Sequence, residues 1–117
     1  MPSSTAIAVR ELGSACVLTP PKDFAAAAGT ALAQAVDTAL VSAPDVLIVD
    51  FSRVENVNSA GVGSLFDAAR RARDRGVPIA LAALQGQPRL VIERVRLPLY
   101  VPVHATVEEA VASYRED

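Results

Sequence analysis

At 117 residues, with 51% hydrophobic residues and a formal net charge of −2, the chain suits one domain able to bury its own core. That charge argues against a general nucleic-acid binder, which carries a basic excess or patch, and against electrostatic docking on an anionic membrane. One cysteine and one histidine exclude an internal disulfide and a zinc cluster, and no cofactor is expected.

Taken in chain order, residues 1–8 carry no basic region ahead of a long apolar stretch, so no secretory signal is expected. Nowhere does an apolar run approach the ~20 residues that span a bilayer, so no membrane insertion is expected and the cytoplasm is the expected location. Thr5 to Val9 alternates and reads as a first strand. Ala15 to Leu18 reads as a second, stopped by Pro20-Pro21, and Gly13-Ser14 between them predicts an antiparallel hairpin. Cys16 lies inside the second strand and reads as a small buried hydrophobe. Asp23 is placed to cap a helix over Phe24 to Val41, in which Ala28, Leu32, Ala35, Val36, Ala39 and Leu40 recur at helical spacing.

Val46 to Val49 is a continuous run ending at Asp50, the pattern of a strand buried on both faces. A polar loop follows to Asn58, then a helix over about Ser59 to Arg75. Its expected buried stripe is Val62, Leu65, Phe66, Ala69 and Ala72. Arginines near its end suit the helix dipole, and Gly76 is placed to stop it. Ile79 to Leu84 reads as a fourth strand and Pro88 to Val95 as a short helix. Leu99 to Val103 reads as a weaker strand, with His104 in the loop or at the surface after it. Thr106 and Glu109 form a capping-box pair that opens a last helix. Leu97, Leu99 and Tyr100 read as core in preference to a contact patch, and oligomeric state stays open. The order β-β-α-β-α-β-α-β-α implies an α/β layered domain with helices covering a sheet.

Val46 to Leu65 is the informative segment. A buried strand delivers the chain to a loop, and Asn58-Ser59 opens a helix. Ligand and partner sites of open α/β sheets lie at the carboxyl ends of strands. The N-terminus of a helix offers unpaired N–H groups and partial positive charge, so a phosphate on Ser59 would meet a favourable field. Gly61 and Gly63 each cost about 1 kcal/mol in a helix relative to alanine. Their bare surface admits another backbone or another protein, or packs them against the sheet. Phe66 stands where a dinucleotide fingerprint needs its third glycine. The segment also contains neither a nucleophile elbow nor a P-loop lysine, which leaves an enzyme or nucleotide-binding reading without its parts.

The segment resembles the signature of the STAS family of anti-sigma-factor antagonists. In that family a buried strand ends in Asp, and a short loop leads to Asp-Ser-(Ser/Thr/Ala)-Gly-(Leu/Val)-Gly. Here the strand end is Val49-Asp50-Phe51-Ser52, and the helix opens with Asn58-Ser59-Ala60-Gly61-Val62-Gly63. Arg70 to Ala83, Pro88 to Val95 and Thr106 to Val111 resemble the family's following elements. The likeness covers about residues 5–113 and implies a single STAS-like domain with a mixed four- to five-stranded sheet and no second domain.

What the resemblance implies is a non-enzymatic partner switch. An anti-sigma factor with serine kinase activity binds the domain at this helix and phosphorylates the serine matching Ser59. A phosphatase resets it, and no direct nucleic-acid contact is involved. The implied partner-binding residues are Asp23, Asn58, Ser59, Ala60, Gly61, Gly63, Ser64 and Asp67. Two departures stand out: Asn58 replaces the family's acid before the serine, and Pro20 replaces a glycine in the loop before Asp23. Asp23 reads first as a helix cap and second as the family's loop acid. The alternative reading is a STAS scaffold or subunit without a phosphate cycle, in a stress-sensing or ABC-type lipid-transport complex.

Overall fold

The computed structural model describes residues 6–114. Seven strands and four helices follow in chain order: β1 (Ala8–Leu12), β2 (Ala15–Thr19), β3 (Asp23–Phe24), α1 (Ala26–Val41), β4 (Val46–Asp50), β5 (Asn56–Val57), α2 (Ser59–Asp74), β6 (Ile79–Ala82), α3 (Gly86–Arg94), β7 (Val103–His104) and α4 (Val107–Tyr114). A 3-10 turn, Leu97–Leu99, precedes β7. The main sheet is mixed, ordered β1-β2-β4-β6-β7, with β1 antiparallel to β2 and the other pairs parallel. β3 and β5 form a separate two-stranded parallel pair.

Alternation along the central strands builds two cores, because successive side chains point to opposite faces of a sheet. Cys16 and Leu18 of β2 and Leu47 and Val49 of β4 join the larger core with Leu32, Val36, Leu65, Ala72, Ile92 and Leu97. Ala15 and Val17 of β2 and Val46 and Ile48 of β4 join the smaller one, under Val107 and Ala110 of α4. Thus α1, α2 and α3 cover one face and α4 the other. The continuous apolar run of β4 is required because it is covered on both sides.

Several expectations need correction. The first strand starts at Ala8, not Thr5 (which lies outside the described residues), and runs on to Leu12. The two-residue turn at Gly13-Ser14, with Gly13 at φ +61°, pairs Leu12 with Ala15 and draws the strand up to the turn. Asp23 is not the helix cap: α1 opens from Ala25 without a side-chain cap, because Asp23 and Phe24 are held extended by pairing with β5. The loop from Asp50 to Asn58 is not simply polar, since Phe51, Val54 and Val57 are buried and anchor it.

Phe66 is 38% exposed and Ala68 takes its place in the buried stripe of α2. Leu99 and Tyr100 are 75% and 64% exposed, so only Leu97 of that trio is core. The proposed strand Leu99 to Val103 is instead the 3-10 turn and the short β7. Pro98 favours the turn, and Pro102 has no N–H for a ladder. His104 lies in β7, half-buried and edge-on to Tyr114.

The fourth strand of the expected order stops at Ala82 instead of Leu84, and the short helix starts at Gly86, two residues before Pro88; two further signals act where they are expected. Gly76, at φ +71°, follows α2, and the N–H of Glu109 donates to Thr106 Oγ1 at 3.0 Å to cap α4. Cys16 is buried, and burial, helped by Glu11, pushes its thiol pKa up.

Candidate functional site

The start of α2 is held by three separate parts of the chain. Asn58 supplies the cap: its side-chain oxygen accepts from the N–H of Gly61 at 3.0 Å, and its carbonyl from Val62 at 2.9 Å. Its own N–H donates to the Phe24 carbonyl at 3.4 Å, tying the cap to β3. Gly61 is buried against the same strand. A Cβ added there would lie 2.3 Å from the Phe24 carbonyl oxygen and 2.8 Å from Val57 Cγ2, far inside van der Waals contact. The close backbone approach that a helical glycine permits is therefore used at Gly61 by the chain itself.

The third support comes from α3. The Gln87 side-chain amide donates to the Val57 carbonyl and accepts from the Val57 N–H, both at 2.9 Å. This clamp pairs β5 on the side away from β3, much as another strand would. Lys22 completes the frame by accepting at its carbonyl from Glu55 at 2.8 Å and Asn56 at 3.2 Å. Phe24 and Phe51, edge-on at 6.1 Å, form the floor of the larger core here.

Upon this frame Ser59, Ala60 and Gly63 are exposed. Among the described residues the Ser59 hydroxyl has no hydrogen-bond partner, and the N–H groups of Ser59 and Ala60 are unpaired. A Cβ on Gly63 would meet nothing within 4 Å. The arrangement presents a hydroxyl and two donors at the positive end of a helix dipole, on a backbone fixed from three sides. Asp23 lies at the edge of the same surface, exposed, with its carboxylate accepting from Asn56 Nδ2 at 3.1 Å.

Ser64 and Asp67 face away from that patch, toward α1. The Ser64 hydroxyl donates to the Ala60 carbonyl at 3.0 Å, and a Cβ on Gly29 of α1 would lie 2.0 Å from Ser64 Oγ. Asp67 bonds Arg71 at 2.6 Å, and Arg71 in turn bonds Asp37 of α1 at 2.7 Å. These guanidinium contacts, Arg71 first, hold the Asp67 carboxyl below its usual pKa. The contacts advance from Gly29 to Asp37 on α1 as from Ser64 to Arg71 on α2, so the two helices run parallel. Sequence reasoning missed Gly29 and Gln87. Gly29 sits unmarked in an alanine-rich helix, and Gln87, between Gly86 and Pro88, reads only as a helix start.

A capped helix start beside a mixed five-stranded sheet, with helices on both faces, is the architecture of a small α/β domain. The STAS domain family model matches residues 6–110, and the chain belongs to that family. Among solved structures the chain is similar to an anti-sigma factor antagonist from Mycobacterium paratuberculosis, with a TM-score of 0.83 at 21% identity over 95% of this chain and 94% of the other. It is also similar to the anti-sigma factor antagonist SpoIIAA of Bacillus in its unphosphorylated form, with a TM-score of 0.77 at 21% identity over 92% and 95% of the two chains. A sulfate transporter family protein from Wolinella succinogenes follows the same path, with a TM-score of 0.78 at 16% identity over 88% and 86%. No curated protein matches the chain. Among the described residues, no helix is long and apolar enough to cross a membrane.

Proposed function

We propose that the chain is an anti-sigma-factor antagonist that binds a kinase-type anti-sigma factor through the start of α2 and is switched by phosphorylation of Ser59. One observation carries the reading: the Ser59 hydroxyl stands exposed in the first turn of a helix whose backbone is immobilised by β3, β5 and Gln87. Phosphorylation adds about −1.5 to −2 charge and three acceptor oxygens. At an exposed first turn the phosphate meets open N–H donors, so the fold tolerates it. At the centre of an interface the same charge must be desolvated, so the partner leaves. The domain acts by binding and performs no catalysis itself. Membership of the STAS family supports the reading. So does the fold shared with SpoIIAA, whose structures include an unphosphorylated and a phosphorylated form.

Asn58 favours a second reading. Where the family has an acid, this side chain is an amide already engaged with Gly61, and no carboxylate precedes the serine. A STAS scaffold or a subunit of a transport complex would use the same face without a phosphate cycle.

The test is to incubate the protein with candidate kinase-type anti-sigma factors and ATP, map phosphate by mass spectrometry, and measure affinity before and after. A phosphate on Ser59 that abolishes binding is the expected result. Binding without modification, and with unchanged affinity in Ser59→Glu, sinks the switch and leaves the scaffold.

A further inference from the structure

The exposed face of α2 extends well past Ser59. Ser59, Gly63, Phe66, Arg70 and Arg73 follow one another at steps of four, three, four and three, which sets them along one side of a helix, and all five are exposed. Phe66 meets the ring of Tyr100 edge-on, with centroids 6.1 Å apart. Leu99 and Tyr100 project from the 3-10 turn beside α2 and are among the most exposed large apolar residues described. Contiguous apolar surface of this kind marks an interaction site more often than a solvated surface. Tyr100 also lines an open cleft of about 320 Å³, shared with Ala69, Arg73, Val77 and Pro102.

Charge is spread unevenly along the chain. Seven of the chain's eleven basic residues fall between Arg70 and Arg96, against two of its thirteen acids. Among the described residues Arg73, Arg75, Arg94 and Arg96 enter no ion pair. Arg73, free of ion pairs and sharing the cleft with the exposed ring of Tyr100, presents a surface complementary to an apolar segment flanked by carboxylates.

We propose that this face, from Ser59 to the Phe66–Tyr100 pair and the Arg73 cleft, binds an acidic amphipathic segment of a protein partner. An apolar side chain of the segment enters the cleft beside Tyr100, and its carboxylates meet Arg73 and its neighbours. Phe66 and Tyr100 supply rigid contact area close to Ser59, so a charge change at Ser59 falls within the same footprint. A second copy of the chain fits poorly, because like faces would bring their arginines together. A concave cleft lined by Arg73, Val77, Tyr100 and Pro102 favours a shaped protein segment over a flat anionic bilayer. The proposal takes the partner's identity, but not its chemistry, from the function proposed above.

Two measurements on the full chain separate the claims. In the first, Tyr100→Ala and Arg73→Glu are compared with wild type for affinity toward the anti-sigma factor that wild type captures. Each is expected to weaken binding about tenfold or more, as truncation of an aromatic or arginine anchor does. Melting temperatures identify any variant that fails to fold, and Arg73→Lys is expected to retain part of the affinity. Equal affinity in both folded variants overturns the proposal while leaving the function intact.

The second titrates the chain, by NMR, with a leucine–glutamate amphipathic peptide and with its leucine–lysine counterpart. Saturable shifts at Phe66, Arg73 and Tyr100 with the acidic peptide alone are expected. Their absence, or equal shifts with both peptides, overturns the proposal even where no anti-sigma factor is captured. Binding to phosphatidylglycerol vesicles in place of the peptide overturns it in favour of a membrane. A concentration-dependent dimer lost in Tyr100→Ala overturns it in favour of self-association.

Discussion

Replacing Gly61 by alanine places a methyl group 2.3 Å from the Phe24 carbonyl oxygen and 2.8 Å from Val57 Cγ2. The first distance is the decisive one, because the obstacle is backbone and cannot rotate away. Accommodating the methyl requires α2 to move off β3, which strains the bond from the Asn58 N–H to the Phe24 carbonyl. Overpacking of this kind costs about 1–3 kcal/mol, and a lost hydrogen bond costs about 1 kcal/mol more. Alanine recovers about 1 kcal/mol of helix propensity. The balance is a destabilisation of about 1–3 kcal/mol.

Gly63, two residues on in the same helix, is the internal control. Its Cβ would meet nothing within 4 Å, so Gly63→Ala gains the propensity without the clash. It is expected to stabilise by about 0.5–1 kcal/mol. Thermal and urea unfolding followed by circular dichroism measure both. At about 4 °C per kcal/mol for a domain of this size, Gly61→Ala melts roughly 4–12 °C below wild type and Gly63→Ala about 2–4 °C above it. If Gly61→Ala melts at or above wild type, β3 does not pin the helix start, and the account of the site as a fixed platform fails.

Other changes probe the same frame. Asn58→Ala removes the cap of α2 and is expected to lower stability by about 1 kcal/mol, whereas Asn58→Asp keeps an acceptor for Gly61 and holds stability. If a kinase acts on Ser59, Asn58→Asp also raises the phosphorylation rate, which a timed kinase assay reads. Gln87→Ala leaves the N–H and carbonyl of Val57 without their partner. A loss of about 1–3 kcal/mol is expected, together with faster hydrogen exchange at the Val57 amide. Asp67 gives a pH signature. Its folded pKa is lowered, chiefly by the bond from Arg71, so its stabilisation is present above the unfolded value of about 3.9 and lost as pH falls through the lower folded value. Asp67→Asn is expected to cost at most about 1 kcal/mol near neutral pH, because the pair is screened by solvent, and to flatten the decline of stability in acid. An unchanged acid limb in urea titrations would remove Asp67 from that account.

Much of the fold was legible in local pattern. The apolar run Val46–Val49, the helix-period stripe of α1, the Gly76 stop and the Thr106 cap are signals carried within a few residues of where they act. The errors have separate causes. Asp23 has the chemistry of a cap, yet pairing of Asp23-Phe24 with Asn56-Val57 keeps it in a strand. Phe66 fits the apolar period of α2 but lies at the margin of the stripe, where only the exposed ring of Tyr100 meets it. Leu99 and Tyr100 look like strand residues until Pro98 and Pro102 divide the segment between a 3-10 turn and a short edge strand.

The sequence by itself determined where the candidate site begins. Asn58-Ser59 opens a helix after a buried strand, and that order of residues needs only local cap chemistry and the period of a strand to be read. Tertiary structure alone decided what each member of the motif does. It made Asn58 the cap and Gly61 a packing position under Phe24. It turned Ser64 and Asp67 toward α1 and left Ser59 and Gly63 outside. These roles depend on backbone brought in from β3, β5 and α3. Contacts across thirty or more residues of chain, such as those of Phe24 and Gln87 with this site, leave no periodic trace in sequence.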